Sequence, residues 1–186
     1  MKQWKTLSKK TILDHNKFLR VEQHKIQLPD GKIIEDWPWV VSPDYVLVMP
    51  ITEQGKALLF RQTKYAVEGT SLAPVGGHLE PGEDPLVAAK RELREEMGCE
   101  ASEWIRLGAF PNNGNNGAGK GYLYLALNAK IVGEPIIDDL EEMELQQFSL
   151  EEVEKNLLAG EIKVMGWAAM VSMALLYMHD KSKNET

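Results

Sequence analysis

Residues 77–99 read GHLEPGEDPLVAAKRELREEMGC, and the rest of the chain can be placed around them. Gly77 and Gly82 lie in a loop with Pro81. Asp84-Pro85 is a helix-start signal, because Asp accepts from the first free N–H groups and Pro suits the first helical position. The spacing predicts a helix to about Met97, stopped by Gly98. Leu86, Ala89 or Lys90, Leu93 and Met97 recur at helical steps and form its buried stripe. Glu92, Glu95 and Glu96 then crowd one flank beside that stripe. Like charges at this spacing cost a few tenths of a kcal/mol each, and acids late in a helix oppose its dipole. Two readings follow: a solvated acidic face paired with Arg91 and Arg94, or oxygen ligands gathered for a hard divalent cation.

Outward from this stretch, strands dominate. Residues 18–28 have strand character, and Pro29-Asp30-Gly31 turns them into Lys32–Glu35, a β-hairpin ahead of the main domain. The near-continuous apolar runs 45–51 and 56–62 read as central strands buried on both faces. Residues 104–110, 121–128 and 144–148 are further strand candidates. Between 112 and 121 the chain is small, polar and Asn/Gly-rich, and reads as a mobile loop, either a lid over substrate or a plain connection. Ser149 and Glu152 form a capping-box pattern for a helix ending at Ala159-Gly160, and Met165 to about Met178 reads as a mostly buried last helix.

The 186 residues suggest one domain with a small appendage. Hydrophobic content of 44% and charged content of 26% are ordinary for a globular chain. A net charge of −7 argues against unspecific binding to nucleic acid or an anionic membrane, and an anionic substrate must be met by local positive charge or a metal. The single cysteine, Cys99, excludes an intrachain disulfide framework and fits a cytoplasmic location. The N-terminal residues hold no signal-peptide apolar run, and 164–178 is too short to span a bilayer.

The intervals decide between the two readings of the acidic helix. Gly77, five residues, Glu83, seven residues, then Arg91-Glu92-Leu93-Arg94-Glu95-Glu96-Met97-Gly98-Cys99 resembles the Nudix hydrolase box at every fixed position. Cys99 stands where that box usually has Ile, Leu or Val, and a buried Cys is a small hydrophobe. The resemblance implies the Nudix fold, an α/β (α+β) architecture with a mixed β-sheet sandwiched between helices. Here it carries an N-terminal β-hairpin extension over 1–40, a Nudix hydrolase domain over 41–180 and a polar tail over 181–186. It also implies Mg²⁺- or Mn²⁺-dependent hydrolysis of a nucleoside diphosphate linked to another group. Glu92 and Glu96 would be the principal metal ligands, Glu95 a further ligand or neighbour, and the carbonyl of Gly76 part of the shell. Glu83 and Arg91 would brace the loop against the helix, with a substrate phosphate contact as the other reading of Arg91.

The flanks resemble the ADP-ribose and nucleoside-diphosphate-sugar pyrophosphatase branch. Leu28–Gly31, Lys56–Gln62 followed by Thr63-Lys64-Tyr65, the acidic run Asp138–Glu144 and the closing helices carry this likeness. It implies a homodimer built through the N-terminal hairpin and a tryptophan stacked on the base, Trp37 first and Trp39 beside it. Interface or core packing is the other reading of both. The acidic run would supply a further ligand or the catalytic base, Glu141 first and Glu142 next, with a solvated loop as the alternative. Arg61 and Lys64 would bind the substrate, Lys64 offering charge to its phosphates. Two departures bear on substrate: Gln62-Thr63-Lys64 replaces the branch's Gln-Tyr-Arg, losing the guanidinium fork, and Ala73–Gly77 lacks its Glu. The expected substrate is ADP-ribose or another nucleotide sugar. The alternatives are a nucleoside triphosphate or dinucleoside polyphosphate hydrolase and a non-catalytic nucleotide-sugar sensor.

Overall fold

A computed structural model of the protein describes residues 1–16, 18–136 and 142–184. Its elements are β1 Lys5–His15, β2 Leu19–Gln27, β3 Ile33–Val41, β4 Tyr45–Thr52, β5 Ala57–Lys64, β6 Val67–Ala73, α1 Pro85–Met97, β7 Cys99–Glu100, β8 Glu103–Asn113, β9 Gly117–Ile131, β10 Met143–Phe148, α2 Leu150–Leu158 and α3 Met165–Asn184. They fall into two units, Met1–Asp44 with Phe110–Gly121, and Tyr45–Ala109 with Tyr122–Thr186.

In the first unit β1, β2 and β3 form an antiparallel meander, so the expected hairpin gains a strand. β1 escapes sequence reading because KTLSKKTILDH has no clean alternation. It pairs through its backbone with breaks in register at Thr6/Ser8 and Thr11/Leu13, and every one of its side chains is exposed. The buried face of β2 is unusual. Glu22, His24 and Ile26 alternate inward, and the Glu22 carboxylate accepts from Arg20 Nε and meets His24 Nε2, both at 2.9 Å. Those bonds, the histidine's first, hold the Glu22 carboxyl below its ordinary range.

The Asn/Gly-rich stretch differs from the mobile loop expected of it. β8 runs to Asn113, and β9 starts at Gly117 with a parallel bridge to Val40. Asn113 Oδ1 accepts from the N–H groups of Asn115 and Asn116 at 2.9 Å, and Val40 N donates to Asn116 O at 2.8 Å. The side-chain bonds are those of an asparagine turn, which residue type alone does not distinguish from slack loop.

In the second unit the strand order is β9-β4-β5-β10, with β6 on β5 and β7 and β8 on β9. β4 and β5 are buried on both faces, as their apolar runs required. Leu47, Met49 and Leu59 pack with Val153 of α2 and Met170, Val171, Ala174 and Leu175 of α3. Val46, Val48, Leu58 and Phe60, on the opposite face, pack with Ala88, Ala89, Leu93 and Met97 of α1. The mixed sheet is thus sandwiched between helices, as expected. Two boundaries differ from the sequence reading. β6 carries little strand signal in sequence, because VEGTSLA holds a glycine and few apolar residues, and Gly69 adopts φ +68 within it. α3 continues through Lys181 and Lys183 to Asn184, where a polar tail was expected, because lysines in a last turn suit the helix dipole. No helix among the described residues is long and apolar enough to cross a membrane.

Candidate active site

The site grows from the start of α1. Asp84 Oδ1 accepts from Leu86 N at 2.9 Å and Val87 N at 3.3 Å, Pro85 opens the helix, and Gly98 closes it at φ 61. These caps set the rotation of the helix, so Ala88, Ala89, Leu93 and Met97 face the sheet and Glu92 is carried inward beside them. Glu92 is only 7% exposed, a burial no carboxylate adopts without compensation. Burial pushes its carboxyl above the ordinary range, against the opposing pull of Arg91.

Two glycines make room for the acids. A Cβ on Gly77 would overlap the Glu92 carboxylate, which lies directly against this glycine and would have to move aside. A Cβ on Gly76 would overlap the Val46 carbonyl, and Gly76 N donates to Glu96 Oε2 at 3.4 Å. The loop is held by bonds from Val46 N to Gly77 O and from Val48 N to Val75 O.

Arg91 is the hub of charge. Its Nε and Nη2 grip the two oxygens of Glu83 at 2.9 and 3.0 Å, the fork geometry that makes such pairs strong. Nη2 also donates to His78 O at 3.2 Å, and Nη1 to Glu92 Oε1 at 2.8 Å and Glu95 Oε2 at 3.1 Å. The Glu83 carboxyl is accordingly held below the usual range, chiefly by Arg91, and the guanidinium is held protonated, chiefly by Glu83. Glu83 and Arg91 therefore lie where a brace between loop and helix would lie.

Glu92, Glu95 and Glu96 share one flank of α1: Glu92 and Glu95 both accept from Arg91 Nη1, and Glu96 from Gly76 N. Among the described residues no three acidic, His or Cys side chains converge to hold a metal. The donor set nonetheless suits a hard dication. Glu92 and Glu96 supply oxygens, the glycine cradle keeps Glu92 against the Gly76-Gly77 backbone, and Arg91 shows that cationic groups already sit between the carboxylates.

The other expected site residues are placed as follows. Glu141 lies outside the described residues, and Glu142, just before β10, is exposed. Lys64 ends β5 and is half-buried. Arg61 alternates with Phe60, on the face away from α1, where Nη1 meets Glu161 Oε2 at 3.2 Å and Thr70 Oγ1 at 3.3 Å. The structure therefore does not bring Arg61 to the carboxylates. In the first unit Trp37 is half-buried, donates from Nε1 to Asn115 O at 2.9 Å and meets Trp4 edge-on at 5.3 Å. Trp39 is stacked on His24 at 5.2 Å and lies against Gly117. Residues the sequence reading did not single out also emerge. The Glu22–His24 couple is one, and its signal was a period-2 alternation carrying charge on the buried side. Gln62, buried at the end of the apolar β5 run, is another.

A family model of the NUDIX domain matches residues 41–168. The chain belongs to the Nudix family. A second model, the nucleoside diphosphate sugar hydrolase N-terminal domain, matches residues 4–40 of this Nudix protein. An ADP-ribose pyrophosphatase of Bacillus subtilis (strain 168) is 28% identical over 178 residues, 95% of this chain and 93% of the relative. A methanol dehydrogenase activator of Bacillus methanolicus is 34% identical over 107 residues, 54% of this chain and 57% of that one. The fold matches a solved structure described as an ADP compounds hydrolase, with a TM-score of 0.81, 17% identity and 97% coverage of both chains. The protein is a Nudix pyrophosphohydrolase, from a family of hydrolases that generally use divalent metal ions.

Proposed function

We propose that this Nudix enzyme hydrolyses the pyrophosphate bond of a nucleotide sugar, ADP-ribose first, giving a nucleoside monophosphate and a sugar phosphate. The observation that carries the reading is the buried Glu92, cradled by Gly77 and flanked by Glu96, in a chain whose relative over nearly its whole length is an ADP-ribose pyrophosphatase. Glu92 and Glu96 would hold Mg²⁺, with Glu95 and the Gly76 carbonyl at its edge. When bound, the ion neutralises the non-bridging oxygens and acidifies a water. Arg91 keeps the carboxylates ionised and the loop in register. Glu141 or Glu142 takes the proton of the attacking water, whose oxygen joins one phosphorus as the bridging oxygen leaves with the other. Lys64 offers charge to the phosphates, whereas Arg61 keeps its ion pair with Glu161.

The test is incubation with ADP-ribose, ADP-glucose, GDP-mannose, ATP and a dinucleoside polyphosphate, with Mg²⁺ or with chelator, followed by product analysis. Monophosphate and sugar phosphate from ADP-ribose, lost with chelator, is the expected result. Turnover of ATP or the dinucleotide alone would move the protein to the triphosphate class, and no turnover at all would favour a binding role.

We further propose a homodimer formed through the N-terminal strands. β1 is a long, fully exposed strand at the outer end of the β1-β2-β3 meander, and Trp4, Leu7, Ile12 and Leu13 are all near half exposed or more. Such an edge is ready to pair with another chain. Trp37 is the base-stacking tryptophan in this reading, because Trp39 already spends one face on His24. Light scattering on wild type and Trp37→Ala should give twice the chain mass for both, with KM for ADP-ribose raised about 10-fold in the variant from one lost stack. A monomer removes the first proposal and an unchanged KM the second.

A further inference from the structure

The turn between β8 and β9 is built more firmly than an exposed connection requires. Asn113 ends β8, and its Oδ1 accepts from the N–H groups of both Asn115 and Asn116 at 2.9 Å. Beyond it Gly117, Ala118 and Gly119 are all left-handed, at φ 82, 66 and 76. For alanine that region is strained, because Cβ crowds a carbonyl oxygen. The surroundings enforce it. Asn112 Nδ2 donates to Ala118 O at 2.6 Å. A Cβ on Gly117 would lie 2.7 Å from the Trp39 ring, and one on Gly119 would lie 2.6 Å from the Pro43 carbonyl oxygen. Strain that is over-determined in this way gathers at functional sites.

What the turn holds is an indole. Trp37 Nε1 donates to Asn115 O at 2.9 Å, and Val40 N, on the same strand, donates to Asn116 O at 2.8 Å. Both residues that Asn113 grips by their N–H groups thus present their carbonyls to β3. An indole has a single N–H, so with that donor spent Trp37 can offer a ligand only its ring face. The region is open to one. Trp4, edge-on to Trp37 at 5.3 Å, lines a cavity of about 490 Å³ with Lys2, Lys5 and Gln27, a size that suits a small organic ligand. Asn113, Gly114 and Asn115 are themselves exposed, so the turn adds little to a core, and its consequence is the placement of the Trp37 ring.

We propose that Asn113 is a positioning residue, whose side chain shapes the turn that holds the Trp37 ring where it stacks on the nucleotide base. This rests on the reading of Trp37 as the base-stacking residue given above. It makes part of the Asn/Gly-rich stretch a support of the base site, acting from another strand pair through one backbone carbonyl.

Full-length Asn113→Ala, Asn113→Asp, Trp37→Ala and the Asn113→Ala, Trp37→Ala double variant test it with ADP-ribose and Mg²⁺. Asn113→Ala should raise KM about 3–10-fold and leave kcat within about twofold, since a displaced stack loses part of what removing it loses. Asn113→Asp keeps an acceptor oxygen for the same two N–H groups and should stay within about twofold of the wild-type KM. With Trp37→Ala already present, Asn113→Ala should change KM by less than about 1.5-fold, because no ring is left to position. Near-UV circular dichroism reads the ring without substrate: Asn113→Ala should alter the wild-type tryptophan bands and leave those of Trp37→Ala as they are.

An unchanged KM in Asn113→Ala beside a raised KM in Trp37→Ala overturns this assignment alone. So does an Asn113→Ala effect that multiplies in full with that of Trp37→Ala, which would make Asn113 a contact in its own right. A KM as high in Asn113→Asp as in Asn113→Ala, or spectra that change equally in both backgrounds, also overturns it. An unchanged KM in Trp37→Ala removes the stacking reading, and this assignment with it.

Discussion

Glu96→Gln should lower kcat for ADP-ribose by more than about 100-fold, because even groups that merely orient a metal ligand are worth about 10–100-fold. The substitution keeps shape and length, so the contact with Gly76 N at 3.4 Å can persist. It removes one negative charge four residues from Glu92, which relieves a few tenths of a kcal/mol of like-charge repulsion on the helix. Stability should therefore hold or rise slightly while turnover falls. Calorimetric titration with Mg²⁺ supplies a readout independent of turnover: wild type should bind and the variant should bind at least about 10-fold more weakly. Turnover and Mg²⁺ affinity both close to wild type would remove Glu96 from the proposed ligand set.

Arg91→Ala should cost about 2–4 kcal/mol of folding free energy at pH 7, because it strips the partner from two buried carboxylates and leaves their charges uncompensated. Glu83 and Glu92 have side chains only 11% and 10% exposed, and Arg91 binds both at 3.0 Å or less. The loss should depend on pH. The Glu83 carboxyl lies below its ordinary range, so its stabilising contribution is complete above about pH 4 and fades as pH falls through its folded value. The Glu92 carboxyl lies above the range because of burial, so its ionised form opposes folding as pH rises past about 4. Without Arg91 burial raises both carboxyls, opposed at Glu83 by the Glu80 N–H and reinforced at Glu92 by the neighbouring acids. The gap between wild type and variant should be widest near pH 7 and shrink as pH falls toward and below about 4, as first Glu92 and then Glu83 takes up a proton. Urea denaturation across that range measures it. A gap below about 0.5 kcal/mol, or one independent of pH, would show that the Arg91 network is a surface ion pair of little weight.

Much of the site was legible before any coordinates. Spacing alone placed Asp84, Pro85 and Gly98 at the ends of α1 and Glu92, Glu95 and Glu96 on one flank, because capping and helical periodicity are local properties. The apolar runs of β4 and β5 read as buried strands for the same reason. β1 and β6 were not legible, since they pair through backbone groups and their side chains carry little pattern. The surroundings of Arg61 were not legible either. Its residue type suits phosphate, but the side a strand residue faces depends on which neighbours surround it, and here Glu161 and Thr70 claim it.

By itself the sequence determined the family, the metal-suited helix and the class of chemistry, because those depend on residue types at fixed local intervals. Only the tertiary structure decided that Glu92 is buried, that its carboxylate lies against Gly77, and that Gln62 is left without a donor. Each of these is a contact between segments distant in the chain or a consequence of burial. Burial is what raises the energy of an unpaired charge or amide from negligible to decisive.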